Sequence, residues 1–64
     1  SLYQVQDAAI ENNKFFNCEI GLAAWRSSDL TLRNNSFSKN RTDNIMKNDI
    51  SQFVNDIYLE NLFE

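Results

Sequence analysis

The sequence predicts an all-β chain wound as a right-handed parallel β-helix of about three coils, and three observations point there. First, AAIENNKFFN (residues 8–17) returns 22 residues later as LTLRNNSFSKN (residues 30–40), aligning Ala8, Ile10, Asn12, Asn13 and Phe15 with Leu30, Leu32, Asn34, Asn35 and Phe37. A repeat of that length is one structural unit per coil. Second, large apolar residues alternate with others inside each copy, as Leu30 and Leu32 do around Thr31, which is the period of a short strand with one buried face. Third, asparagine fills ten of the 64 positions while glycine occurs once and proline never. Asparagine tolerates the left-handed backbone of a tight corner, so the Asn-Asn pairs suit the bends between strands. Strands stacked about 4.8 Å apart rest each apolar side chain on its counterpart in the next coil, and the interior fills itself. The asparagine amides then hydrogen-bond along the column. The right hand follows from the handedness of parallel crossovers.

In chain order, the first coil (near residues 8–29) opens with the strand around Ile10 and bends at Asn12-Asn13. It continues through Gly21-Leu22, with Leu22 and Ala24 inward and Trp25 outward. The second (near 30–55) repeats it up to Asn40 and then departs: Asn44-Ile45 stands for Gly21-Leu22, and Lys47 falls where alternation wants an apolar residue. Two readings stay open there. Met46, Ile50, Phe53, Val54 and Ile57 form a stripe at helical spacing with Asp43 as N-cap, so a C-terminal capping helix around residues 45–58 is one. The weak helix formers Asn44, Asn48, Asp49, Ser51, Asn55 and Asp56 favour the other, a distorted β coil. The last coil (near 56–64) carries a third copy, DIYLENLF, in which Asp56–Asn61 aligns with Asp29–Asn34 at an interval of 27 with one asparagine missing.

A chain of 64 residues buries a small core, so neighbouring repeats, self-association or a larger parent protein are the expected stabilisers, and the chain reads as a fragment. Cys18 alone forms no internal disulfide, and with no histidine no metal site is expected; no cofactor is expected either. Net charge −3 with six basic residues spread among nine acids gives no positive stripe for phosphates, so nucleic acid is not an expected partner. No apolar run reaches the roughly eighteen residues of a membrane span, and no signal-peptide pattern is visible.

Residues 10–40, IENNKFFNCEIGLAAWRSSDLTLRNNSFSKN, resemble the right-handed parallel β-helix repeat of carbohydrate-binding and sugar-hydrolase proteins, also found in periplasmic copper-site maturation proteins and phage tailspikes. The matching elements are the I-x-N-N-x-F-x-N block, Gly21-Leu22, and the S-S-D-L-T-L return at residues 27–32. The resemblance implies a fold more than a chemistry. It places the chain extracellularly, in the periplasm or on a virion surface.

The alignment puts Ala9, Thr31 and Tyr58 in one outward file and Glu11, Arg33 and Glu60 in the next. In polysaccharide-active β-helix proteins that face commonly lines the substrate groove, so the resemblance makes Glu11, Arg33, Tyr58 and Glu60 the first candidates for glycan contact. The plainer reading is a charge ladder that steadies the register. Glu11 and Glu60 fit the roughly 5–10 Å carboxylate spacing of glycoside hydrolysis, but Arg33 between them keeps both ionised where a general acid needs a raised pKa. No catalytic residues are therefore expected. Trp25 and Arg26 form a second candidate patch, for a sugar ring or for a neighbouring chain. Cys18 reads as a core thiol, and Asn40 as the one free asparagine in an N-glycosylation pattern. The function expected is a noncatalytic carbohydrate-binding or structural module of a larger surface or phage-type protein. The alternatives are an oligomerisation or partner-binding element, and a piece of a polysaccharide-degrading enzyme whose catalytic residues lie elsewhere.

Overall fold

A computed structural model describes residues 1–64. The chain is all-β apart from one helical turn: β1 (Leu2–Tyr3), β2 (Ala9–Glu11), β3 (Lys14–Phe16), β4 (Ile20–Trp25), β5 (Thr31–Arg33), β6 (Ser36–Ser38), β7 (Asp43–Lys47), α1 (Ile57–Glu60) and β8 (Leu62–Phe63). Every strand pair is parallel, and successive strands visit three sheets in turn, ordered β1-β4-β7, β2-β5 and β3-β6-β8. The repeat seen in the sequence is the register itself, Ile10 lying beside Leu32 and Phe15 beside Phe37.

The corners recur with the strands. Left-handed φ angles of 52–61° occur at Gln4, Asp7, Asn12 and Asn17, and again at Arg26, Asp29, Asn34 and Lys39, each 22 residues further on. Asparagine and aspartate take this conformation cheaply; glutamine, arginine and lysine do not. Backbone bonds run on through the corners, Asn12 N donating to Arg33 O and Asn17 N to Ser38 O.

After the corners at Arg26, Asn34 and Lys39 the side chain of the next residue, Ser27, Asn35 or Asn40, supports the turn above it. Asn35 Oδ1 accepts from Asn13 N, and Asn61 Oδ1 from Asn35 N, both at 2.9 Å. Ser27 Oγ receives Val5 N and Ser51 Oγ receives Ser27 N, both at 3.1 Å. The two asparagines of each pair thus divide the labour: Asn12 and Asn34 hold the bend, while Asn13, Asn35 and Asn61 build the ladder. Asn40 also joins this system, its Oδ1 taking Cys18 N and its Nδ2 donating to Phe15 O, so its amide is tied and not free for modification.

Burial follows from stacking. Leu22, Ala24, Leu30, Leu32 and Phe37 are the buried apolar residues, and all but Leu22 lie between a turn above and a turn below, whereas Ile10 and Phe15 in the first turn are only half-buried. The rings of Phe15, Phe37 and Phe63 form a column with centroids 4.8 and 5.0 Å apart.

The structure corrects two expectations at the C-terminal end. No helix spans 45–58: Asp43–Lys47 is strand β7, and the helix is the single turn α1, capped by Asp56, whose side chain accepts from Tyr58 N and Leu59 N. The third copy is also shifted. Phe53, not Ile57, lies beside Leu30, and Asn61 takes the place of Asn35 at an interval of 26, not that of Asn34 at 27. The extra residues between Phe53 and Leu62 are absorbed by α1, so Ile57 and Leu59 are helical and their apparent strand alternation is accidental.

Candidate recognition faces

Two outward surfaces carry the side chains singled out in the sequence. On the β2-β5 sheet Ala9 lies beside Thr31 and Glu11 beside Arg33, as the repeat requires. Glu60 joins them from α1 rather than from a strand: Arg33 Nε donates to Glu60 Oε1 at 2.8 Å, and Asn55 Nδ2 to Glu60 Oε2 at 3.0 Å. The Asn55 amide and the Arg33 guanidinium hold the Glu60 carboxyl below the usual carboxylate range. A carboxylate so held is a poor general acid. Tyr58 does not continue the Ala9–Thr31 file in which the alignment puts it. It projects from α1, and its ring lies 5.4 Å from that of Phe63, beside a concavity of about 250 Å³ that Asp43, Asn44 and Ile45 also line.

The second surface is at the edge of the β1-β4-β7 sheet. Alternation along β4 turns Leu22 and Ala24 inward and Trp25 outward, as the sequence indicates. Trp25 lies in register beside Tyr3, a residue the sequence reading missed because β1 precedes the recognisable repeat. Both rings are exposed, Tyr3 at 60% and Trp25 at 39%. Arg26 completes the patch: its Nη1 donates to Tyr3 Oη at 3.4 Å, and its guanidinium carbon lies 6.0 Å from the Tyr3 ring centroid. The left-handed corner at Arg26 swings its side chain back over Tyr3, and Asn48 Oδ1 fixes the corner by accepting Arg26 N at 3.1 Å.

A third polar group, absent from the sequence reading, joins Glu19 to Arg41 at 3.6 Å and to the Thr42 hydroxyl. Thr42, and after it Arg41, lowers the Glu19 pKa. Cys18 is half-buried, its Sγ 3.4 Å from Phe16 O.

The family model described as periplasmic copper-binding protein (NosD) matches residues 1–62. The chain belongs to the NosD family. The match fits a β-helix repeat over nearly the whole chain, including the C-terminal turn where the sequence pattern degrades. The NosD family is periplasmic, and no helix here is long and apolar enough to cross a membrane. No curated protein and no solved structure gives a significant match.

The NosD description names copper, which invites a test of the donor set. Copper sites draw on imidazole, thiolate and thioether ligands. This chain has no histidine, one cysteine and one methionine, and its Cys, Asp and Glu side chains nowhere gather in threes. These residues do not fit a copper centre.

Proposed function

We propose that the chain is a noncatalytic right-handed β-helix module of a NosD-type periplasmic protein, serving as a rigid scaffold that presents the Tyr3–Trp25–Arg26 patch to carbohydrate. The observation that carries the reading is the side-by-side pairing of two exposed aromatic rings on adjacent strands, with a guanidinium held next to them. Such rings offer flat apolar faces with polar edges, at little entropic cost because the strands already fix the backbone. The Glu11–Arg33–Glu60 file serves this reading less well, since Arg33 is already committed to Glu60.

Trp25 is the sole tryptophan, so its fluorescence reports directly on the patch. Titration with soluble neutral and uronic-acid oligosaccharides is expected to shift its emission and to saturate. Trp25→Ala and Tyr3→Ala should abolish binding measured by calorimetry, while Arg33→Ala leaves it intact. Binding lost on Arg33→Ala but kept on Trp25→Ala would move the site to the other face. Absence of binding across the panel would leave a scaffold without a glycan role.

A further inference from the structure

The Tyr3–Trp25–Arg26 patch carries a charge that no carboxylate of the chain neutralises. Of the three arginines, Arg33 Nε lies 2.8 Å from a Glu60 oxygen and Arg41 Nε lies 3.6 Å from a Glu19 oxygen, while no carboxylate lies within 4.0 Å of Arg26. The net charge is −3, so an arginine left without an acid is the exception here. Its place is nevertheless fixed: Asn48 Oδ1 holds its backbone N–H, and Nη1 donates to Tyr3 Oη. A guanidinium has five N–H donors, and only that one is engaged within the chain.

Charge is also sorted along the sheet that bears the patch. Glu19 and Asp43 stand where β4 and β7 begin, Asp43 in register with Ile20. Arg26 and Lys47 stand where the same strands end, Lys47 in register with Ala24. Ile20 and Trp25 are separated by five positions, roughly 16 Å along a strand, so the acids at the start lie far from the rings. Asp7, Asp29 and Asp49, which follow the three strands, form no ion pair with Arg26 or Lys47. Trp25 and its neighbour Tyr3 face outward, so further turns stacked at either end would lengthen this face without covering it.

We propose, resting on the carbohydrate reading of this patch, that the sugar it takes is acidic: a uronic acid whose ring lies on Trp25 and Tyr3 and whose carboxylate is received by the Arg26 guanidinium. The two aromatic residues sit on adjacent strands about 4.8 Å apart, and a sugar ring lying across them has its rim at the corner where Arg26 turns back over Tyr3. Arginine matches a planar carboxylate through two parallel N–H···O bonds, and such charge-assisted bonds are roughly twice as strong as neutral ones. A neutral hexose carries a hydroxymethyl group at the same ring position and gains no such pair.

The test is titration calorimetry of the 64-residue chain with tetragalacturonate and with its fully methyl-esterified form, which keeps ring and linkage and loses the charge. At low salt the free acid is expected to bind about tenfold more tightly than the ester. Arg26→Gln should bring the two to equal affinity, whereas Arg33→Gln should keep the preference. Glutamine suits the Arg26 corner, since Gln4 holds the equivalent left-handed corner one turn earlier with a φ of 54°, and circular dichroism verifies the fold. Equal affinities for acid and ester in the unaltered chain overturn the preference for acidic sugars and leave carbohydrate binding standing. A preference that survives Arg26→Gln, or is lost on Arg33→Gln instead, overturns the part given to Arg26. Binding of neither ligand overturns both the acidic sugar and the carbohydrate reading on which it rests.

Discussion

Asn34 and Asn35 are adjacent and chemically identical, and the fold uses them so differently that replacing each by alanine should give different losses of stability. Asn35 is 2% exposed. It accepts Asn13 N at 2.9 Å and Asn13 Nδ2 at 3.2 Å through Oδ1, and donates to Ile10 O and Asn61 Oδ1, both at 2.9 Å, through Nδ2. At about 0.5–1.5 kcal/mol net for each bond, with more where a buried partner is left unsatisfied, Asn35→Ala should cost about 3–5 kcal/mol. A domain of this size holds roughly 3–10 kcal/mol in total, so that variant is at the edge of folding. Asn34 is exposed, and its main task is a φ of 57°. Asn34→Ala should cost about 1–2 kcal/mol, the left-handed penalty of a residue with a Cβ, and Asn34→Gly much less. Urea denaturation followed by far-ultraviolet circular dichroism measures all three. Equal losses for the two alanine variants, or a greater loss at Asn34, would refute the division between corner and ladder.

Other perturbations follow from the same packing. A Cβ on Gly21 would sit 2.6 Å from the Asn44 carbonyl oxygen and 3.0 Å from the Phe37 ring, so Gly21→Ala should destabilise by about 1–3 kcal/mol in the same assay. Lys39 holds a φ of 54° without a side chain suited to it, and Lys39→Asn should raise the thermal midpoint, having removed up to about 1 kcal/mol of backbone cost. The Glu60 carboxyl is held low in the folded chain by Asn55 and Arg33, so its contribution is full above the ordinary carboxylate pKa near 4.5 and is lost as pH falls through the lower folded value. Asn55→Ala should therefore raise the Glu60 pKa, read by carboxyl-carbon NMR, and weaken the pH dependence of stability over that acidic window.

The fold was legible where one coil copied another. Ile10 over Leu32, Phe15 over Phe37 and Glu11 over Arg33 are all read correctly because a parallel register converts a sequence interval directly into a neighbour. It became illegible where the interval changed. Between Phe53 and Leu62 a helical turn is inserted, and Ile57-Tyr58-Leu59, which alternates like a strand, lies in that turn, leaving Phe53 beside Leu30. A run of three residues fits either period, so only the ladder partner of Asn61 decides its place. The outward position of Trp25 was legible from alternation, but its pairing with Tyr3 was not, because β1 carries too few residues to show a repeat. Nor did the sequence distinguish the two asparagines of a pair, since both roles, corner and ladder, suit the same side chain.

The central claim is that residues 22 apart in the first two turns, and 23 and then 26 apart between the second and the last, are stacked neighbours in parallel strands. Nuclear Overhauser contacts measured on the labelled chain test it most directly. Ring-to-ring contacts are predicted from Phe15 to Phe37 and from Phe37 to Phe63, with parallel backbone contacts joining Ile10 to Leu32. Antiparallel hairpin contacts in their place, or a Phe37 ring in contact with neither of the other two, would contradict it.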